Sequence, residues 1–281
     1  MTRSRAGAVL AAALILATGT GCAMHDDAES LRGELPAALR DSGTLTVGTA
    51  APYAPLVFAE DGRLTGFDVD VVTAVADRLG LTAEFTERPF VELIPGVVAE
   101  TFTAAARGMF ATRERQQSVD QVTYHSAGTQ WLRKSGSTLD PTAACGRRIG
   151  ALNATVQFTV DLPAKSAACT DTGGPAVDVV GFDTLDQAVE AVRTGAVDGF
   201  SGDSPVVLSA AKTSGGALEP AGDAFDTEPI AIAVAKGSPL GAIVQKAVQQ
   251  LIDSGELRTI AEKWGLQDGL ITESRLDGAL I

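Results

Sequence analysis

The strongest constraint on this chain is an alternation of short extended runs with stretches whose apolar residues recur every three or four positions. Thr44-Leu45-Thr46-Val47-Gly48 reads as a strand, and Glu60-Asp61-Gly62-Arg63 as a turn between two short extended pieces within 57–67. A helix opens at Asp68, carries Val69, Val72, Val75, Ala76 and Leu79 on one side, and stops at Gly80. A strand over 82–86 and a Pro-interrupted helical stretch over 91–98 follow. After Leu139-Asp140-Pro141 the alternation restarts. Strands are expected at 148–152, 177–181 and 197–200. Between them lie a helix over 156–168, interrupted by Pro163, and one marked by Leu185, Ala188, Val189 and Val192 that ends at Gly195. A helix follows Pro205, a strand covers 230–234, and helices cover 240–252 and 257–264; beyond 270 no pattern is legible. Two rounds of this alternation predict an α/β protein with parallel sheet, built as two lobes with a helical end.

The first residues do not belong to that pattern. Arg3 and Arg5 precede an unbroken apolar-or-glycine run over 6–17, and Gly19-Thr20-Gly21 leads into Cys22. A basic start, a short apolar core and small residues read as an export signal, 1–21. The run is shorter than the ~20 apolar residues that a membrane-spanning helix needs. Losing Arg3 and Arg5 takes the net charge from −13 to −15. A chain so acidic has no basic surface with which to neutralise phosphates, so nucleic-acid binding is excluded. With 45% apolar and 20% charged residues it is a folded globular chain and not a disordered one. Residues 22–43, polar and alanine-rich, are expected to be a tether between membrane and folded body.

The three cysteines divide into one and two. Cys22 sits where lipoprotein signals place the acylated cysteine, although Gly19 stands where leucine is usual; cleavage after Ala23 would instead discard it. Cys145 and Cys169 lie 24 residues apart. In an oxidising compartment they would pair, a closure worth ~3–4 kcal/mol in the chain-entropy description; otherwise they are two buried thiols. Without clustered histidines they make no zinc site, and neither metal nor cofactor is expected.

Several segments in this order carry a resemblance. They are Gly43–Gly48, Tyr53-Ala54-Pro55, Gly66-Phe67-Asp68-Val69-Asp70, Leu93-Ile94-Pro95 and Gly108-Met109 with Thr112, Glu114 and Arg115 following. Ile149-Gly150, Gly195-Ala196-Val197-Asp198 and Lys263-Trp264-Gly265 complete the set. Over roughly 43–266 the chain resembles the amino-acid-type solute-binding proteins of ABC importers, in their lipid-anchored bacterial form. The resemblance implies two α/β lobes joined by two crossover strands, with the ligand between them. Lobe 1 would be 44–126 plus 228–281 and lobe 2 would be 130–226, with crossings near 126–130 and 226–229. It also implies an exported protein on the extracytoplasmic face of the membrane, anchored by lipid only, that serves an ABC-transporter permease.

An amino acid is a zwitterion, so its cleft needs a fixed cation and a fixed anion. Arg115 stands at the family's carboxylate-binding position, where a guanidinium can make two parallel hydrogen bonds. By itself it would read as a solvated residue of the run Arg113-Glu114-Arg115-Gln116-Gln117. Asp203 matches the ammonium-binding acid. Its other reading is helix capping, but Pro205 in the first helical position makes Ser204 the cap and leaves Asp203 free. Tyr53 and Phe90 match positions that pack against the ligand, and Tyr53 could equally pack its own loop. Asn153-Ala154-Thr155-Val156 precedes a helix whose free N–H groups can add to carboxylate binding. The chain departs from the family at Phe110, where Ser or Thr is usual, and at Gly108 and Val156, where a polar group is common. Glu100-Thr101-Phe102-Thr103 replaces the usual Gly-Lys-Phe-Asp. These changes imply either a bulkier or N-substituted amino acid or compensation by backbone groups.

No nucleophile elbow, phosphate loop or His-Glu-x-x-His occurs. His25 falls in the expected tether and His125 near the first crossover, where packing is its expected role. A dehydratase-like cleft enzyme would need a poised carboxyl, for which Asp203 and Glu228 are the candidates. A receptor that presents ligand to a membrane sensor is the third reading. The chain is read as a binding protein, not an enzyme.

Overall fold

A computed structural model describes residues 31–279 and Ile281. The expected export signal (1–21), Cys22 and His25 lie outside the described residues. The strands are β1 (Thr44–Thr49), β2 (Phe58–Glu60), β3 (Arg63–Thr65), β4 (Thr82–Glu87), β5 (Ala104–Ala105) and β6 (Val119–Lys134). They continue as β7 (Arg148–Leu152), β8 (Asp178–Phe182), β9 (Gly199–Asp203), β10 (Leu218–Pro220) and β11 (Phe225–Ala235).

One sheet runs β4-β1-β5-β11-β6-β9-β7-β8, with β10 also on β6, while β2 and β3 form a separate hairpin. β4, β1 and β5 are parallel, as are β8, β7 and β9. The expected parallel sheet is therefore two parallel wings. They are joined by β6 and β11, which run antiparallel to each other and to their neighbours. Each wing, with its helices, is one lobe. No helix among the described residues is long and apolar enough to cross a membrane.

Local chemistry explains the helix limits. The helix Phe67–Arg78 follows Gly66 at φ +130 and buries Phe67, Val71, Val72 and Val75. It starts one residue before Asp68, which turns inward and is buried. Leu185–Thr194 is capped by the Thr184 hydroxyl, which accepts from the Gln187 N–H, and is closed by Gly195 at φ +83. Pro239–Asp253 carries Pro in its first turn behind the Ser238 cap and buries Ile243, Val244, Ala247, Val248 and Leu251.

Two expectations change. The segment before β1 is folded from residue 31, with a helical turn at 31–34 and the helix Ala37–Ser42. Leu31 and Leu35 are buried in the core of lobe 1, which is where an apolar pair four residues apart gains most, so a tether reaching to residue 43 is too long. The helix expected over 156–168 runs on from 156 but widens into a π-type turn, Gln157–Asp161, directly before Pro163, and then continues as the α-helix Leu162–Asp171. The widened turn accommodates a residue that has no N–H to donate.

Cys145 and Cys169 form a disulfide, which ties the entry of β7 to the helix Leu162–Asp171. The segment after 270 lies along β6. The Thr123 N–H donates to Arg275 O, the Asp277 N–H donates to Gln121 O, and Leu276 bridges Val122. Lys236 pairs with both Asp277 and Asp120 there.

Candidate functional site

Parallel strands of one hand leave their carboxyl ends on one side, and ligand crevices form there. β1 delivers the loop containing Tyr53, β4 leads to Phe90, and β5 to 106–110. From the other lobe, β7 delivers 153–157 and β9 ends on Asp203. These segments meet between the lobes around a cavity of about 10 Å3, roughly the room of one water. It is lined by Phe90, Arg107, Gly108, Phe110, Arg115, Thr155, Val156, Gln157 and Asp203. Of the eight expected ligand residues, all but Tyr53 are in that wall, and Tyr53 stands just behind it. Two larger spaces share lining residues with it, one through Phe90 and Arg107 and the other through Arg115 and Val156. One, of about 330 Å3, includes Pro52, Arg88, Phe90, Arg107 and Asp183. The other, of about 290 Å3, includes Ile94, Glu114, Arg115, Ala154 and Val160.

Asp203 is 3% exposed and is held by both lobes: Oδ2 accepts from the Tyr53 hydroxyl at 2.5 Å and Oδ1 from Gln157 Nε2 at 3.0 Å. Burial pushes its carboxyl up, while Tyr53, Arg107, Gln157 and Arg115 pull it back down. Burial, with the neighbouring Asp203, drives the Tyr53 phenol well above its ordinary value, so it remains a neutral donor. Asp203 occupies the cap position of the helix Ser204–Thr213 yet makes no capping hydrogen bond. Ser204 is not the cap either. It is the first helical residue, and its hydroxyl accepts from the Gly128 N–H of β6. The Asp203 carboxylate is not spent on its own helix and instead meets Tyr53 and Gln157 beside the cavity.

Arg115 is carried on the short helix Arg113–Gln116, whose cap Thr112 accepts from the Arg115 N–H. Its Nη1 donates to Phe110 O at 2.7 Å in its own lobe and its Nη2 to Ala154 O at 3.0 Å in the other. Burial pulls the guanidinium down to about 10, which leaves it a cation at neutral pH. Phe110 puts its ring into the core and offers the site its carbonyl, while the Thr155 hydroxyl donates to Leu152 O. The Phe110 and Ala154 carbonyls accept from the guanidinium; being acceptors, they cannot replace the missing hydroxyls as donors to a carboxylate. Val156 presents an apolar wall, and Ala154 at φ +61 turns the chain into the π-type turn. Gly108 sits at φ +54, and a Cβ there would lie 2.5 Å from Leu56 Cδ1. Both the left-handed φ and that approach favour glycine.

Three functional candidates were not expected. Gln157 bonds Asp203 and the Thr129 hydroxyl from the π-type turn. Asp68 accepts from the Tyr124 hydroxyl at 2.7 Å and from the Gly108 N–H at 2.5 Å, and burial pushes its carboxyl to about 7. Arg107 is 4% exposed, with its Cζ 3.2 Å from the Tyr53 ring centroid and 4.6 Å from that of Phe90. A charge immediately after the apolar run Ala104-Ala105-Ala106 was the available signal. Glu228 does not reach the cavity. It pairs with Ala127 at the crossover, with burial raising its carboxyl. His125 packs edge-on to Phe67 and donates through Nε2 to Leu266 O, a structural role. Among the described residues no cluster of His, Cys, Asp or Glu could hold a metal.

Comparison with known proteins agrees with this geometry. The arginine-binding protein ArgT of Corynebacterium glutamicum is 32% identical over 255 residues, covering 90% of this chain and 84% of ArgT. The L-cystine-binding protein TcyA of Bacillus subtilis is 27% identical over 267 residues, covering 92% and 95% of the two chains. The structure of an ancestral arginine-binding protein bound to arginine superposes with a TM-score of 0.72 at 30% identity, covering 79% of this chain and 98% of that one. The profile of the bacterial extracellular solute-binding proteins, family 3, matches residues 45–267, and this chain belongs to that family.

Proposed function

We propose that this protein captures an amino acid in the cleft between its lobes and delivers it to an ABC importer. Arg115 grips the α-carboxylate and Asp203 the α-ammonium. Phe90 and Tyr53 wall the side chain, and Gly108, Phe110, Thr155 and Val156 shape the rest. The observation that carries this reading is the meeting of Arg115 from one lobe with Asp203 from the other around one cavity. A zwitterion spanning both stabilises the closed form, which gives the differential affinity that closure requires. The two bodies that close are 44–126 with 228–281, to which 31–43 is packed, and 130–226. The relatives are binding proteins for arginine and cystine, which supports capture in place of chemistry.

Calorimetry with the common amino acids tests the site. Removing Arg115 leaves a buried carboxylate unpaired, a loss of ~2–5 kcal/mol. At ~1.4 kcal/mol per tenfold, Arg115→Ala weakens binding by roughly thirty-fold to several thousand-fold. Binding within about a factor of three of wild type would remove Arg115 from the site.

Anchoring at the extracytoplasmic face through Cys22 completes the proposal. It is supported by the short apolar run and small residues before that cysteine. A fatty-acid analogue fed to cells should label the wild type and not Cys22→Ala; equal release of both into the medium would refute it.

A further inference from the structure

Arg107 has no role in the clamp just described, and its surroundings ask for a partner. A buried guanidinium is expected to be paired, because an unpaired ion inside a protein is costly. Arg107 makes no ion pair among the described residues, and its Nε is buried without a hydrogen-bond partner. Burial pulls its guanidinium down while Tyr53, Asp203 and Asp68 push it back up, yet neither acid forms an ion pair with it. Asp203 accepts from Tyr53 and Gln157, and Asp68 from Tyr124 and Gly108. The rings of Tyr53 and Phe90 cover the guanidinium carbon, so what remains for a ligand is the N–H edge. Arg107 lines the same cavity as Arg115 and Asp203.

Charge then decides the occupant. A plain zwitterion satisfies Arg115 and Asp203 and leaves Arg107 as a desolvated cation beside it. Its guanidinium also takes the aromatic slot that a cationic side chain would otherwise use, and it would repel that side chain at close range. A second carboxylate on the ligand supplies the missing counter-ion, and a guanidinium edge can hold it through two parallel bonds. We infer that Arg107 determines specificity: the cleft takes an amino acid with an acidic side chain and rejects cationic ones. This rests on the amino-acid reading above and departs from the arginine named for one relative.

Calorimetry on the disulfide-bonded protein with L-glutamate, L-aspartate, L-glutamine and L-arginine tests it, using wild type, Arg107→Ala and Arg107→Lys. Wild type should prefer an acidic ligand over L-arginine by at least about a hundredfold. Arg107→Ala should lower the preference for the acidic ligand over L-glutamine by about tenfold or more, and L-arginine should gain relative to both. Arg107→Lys should keep the wild-type order, because a point cation still attracts the carboxylate. A uniform loss across all four ligands in Arg107→Ala would make Arg107 a support for Asp203 and overturn the inference. Wild type binding L-arginine as tightly as L-glutamate would also overturn it while leaving amino-acid capture standing. If wild type binds none of the common amino acids, the capture proposal falls and this inference with it.

Discussion

Asp68 illustrates how little a local rule says about a residue's final task. In the sequence it opens a helix; in the fold its two oxygens fix the Tyr124 hydroxyl and the N–H of Gly108, the glycine that borders the cleft. Burial raises its carboxyl to about 7, with Tyr124, Gly108 and Arg107 opposing that rise. A native state that holds this proton more tightly than the unfolded chain is favoured at low pH. Its contribution is complete below the unfolded value, near 4, and is lost as pH rises through about 7. Asp68→Asn cannot titrate, so between about pH 5 and about pH 8 its melting temperature should fall less than that of wild type. Parallel pH profiles for the two proteins would show that Asp68 does not hold its proton. Arg115 and Asp203 were legible because each stands at a fixed spacing from recognisable neighbours. Gln157 and Arg107 were not, since one is aimed by a π-type turn and the other by a packing of rings that no short motif encodes.

At the scale of elements, β1, β4, β7, β8 and β9 of the parallel wings were legible, while the two-residue β5 and the joining strand β6 were not. β6 is 16 residues long and buried on both faces nearly throughout, so it shows no alternation of apolar and polar residues. Its polar side chains find partners only in the folded state: Gln121 accepts from Thr112 N–H, His125 donates to Leu266 O, and Gln130 donates to Gly222 O. A reader of the sequence sees hydrophilic residues where the structure has a core strand. Opposite it, β11 breaks register between Phe225 and Glu228 and again between Ile230 and Ala231. Bulges bend and twist a strand, and these lie where the pair crosses from one lobe to the other. With the cavity near 10 Å3, the form described here is closed, so a ligand must enter through a wider form. X-ray scattering should therefore show an expanded average without ligand and contraction on saturation. Identical curves would mean that the lobes do not move.

On the scale of the whole molecule, an acidic protein of net charge −13 concentrates two guanidinium groups at the seam between its lobes. That contrast confines anion attraction to the cleft and leaves the outer surface repulsive to anions. The two-lobed plan was legible in the doubled alternation. The last residues were silent, because their role depends on a neighbour far away in the chain. Over 119–125, β6 has β11 on one side, while β9 covers the other only from 129 onward. The segment 274–277 occupies that gap, shielding backbone groups that would otherwise stand open like the rim of an unfinished sheet. An open rim recruits strands from other chains. Cutting the protein after Leu270 should thus turn a self-contained molecule into one that associates through β6, with sedimentation showing dimers or larger species that grow with concentration. A shortened chain that sediments as the full one does would show the rim to be harmless.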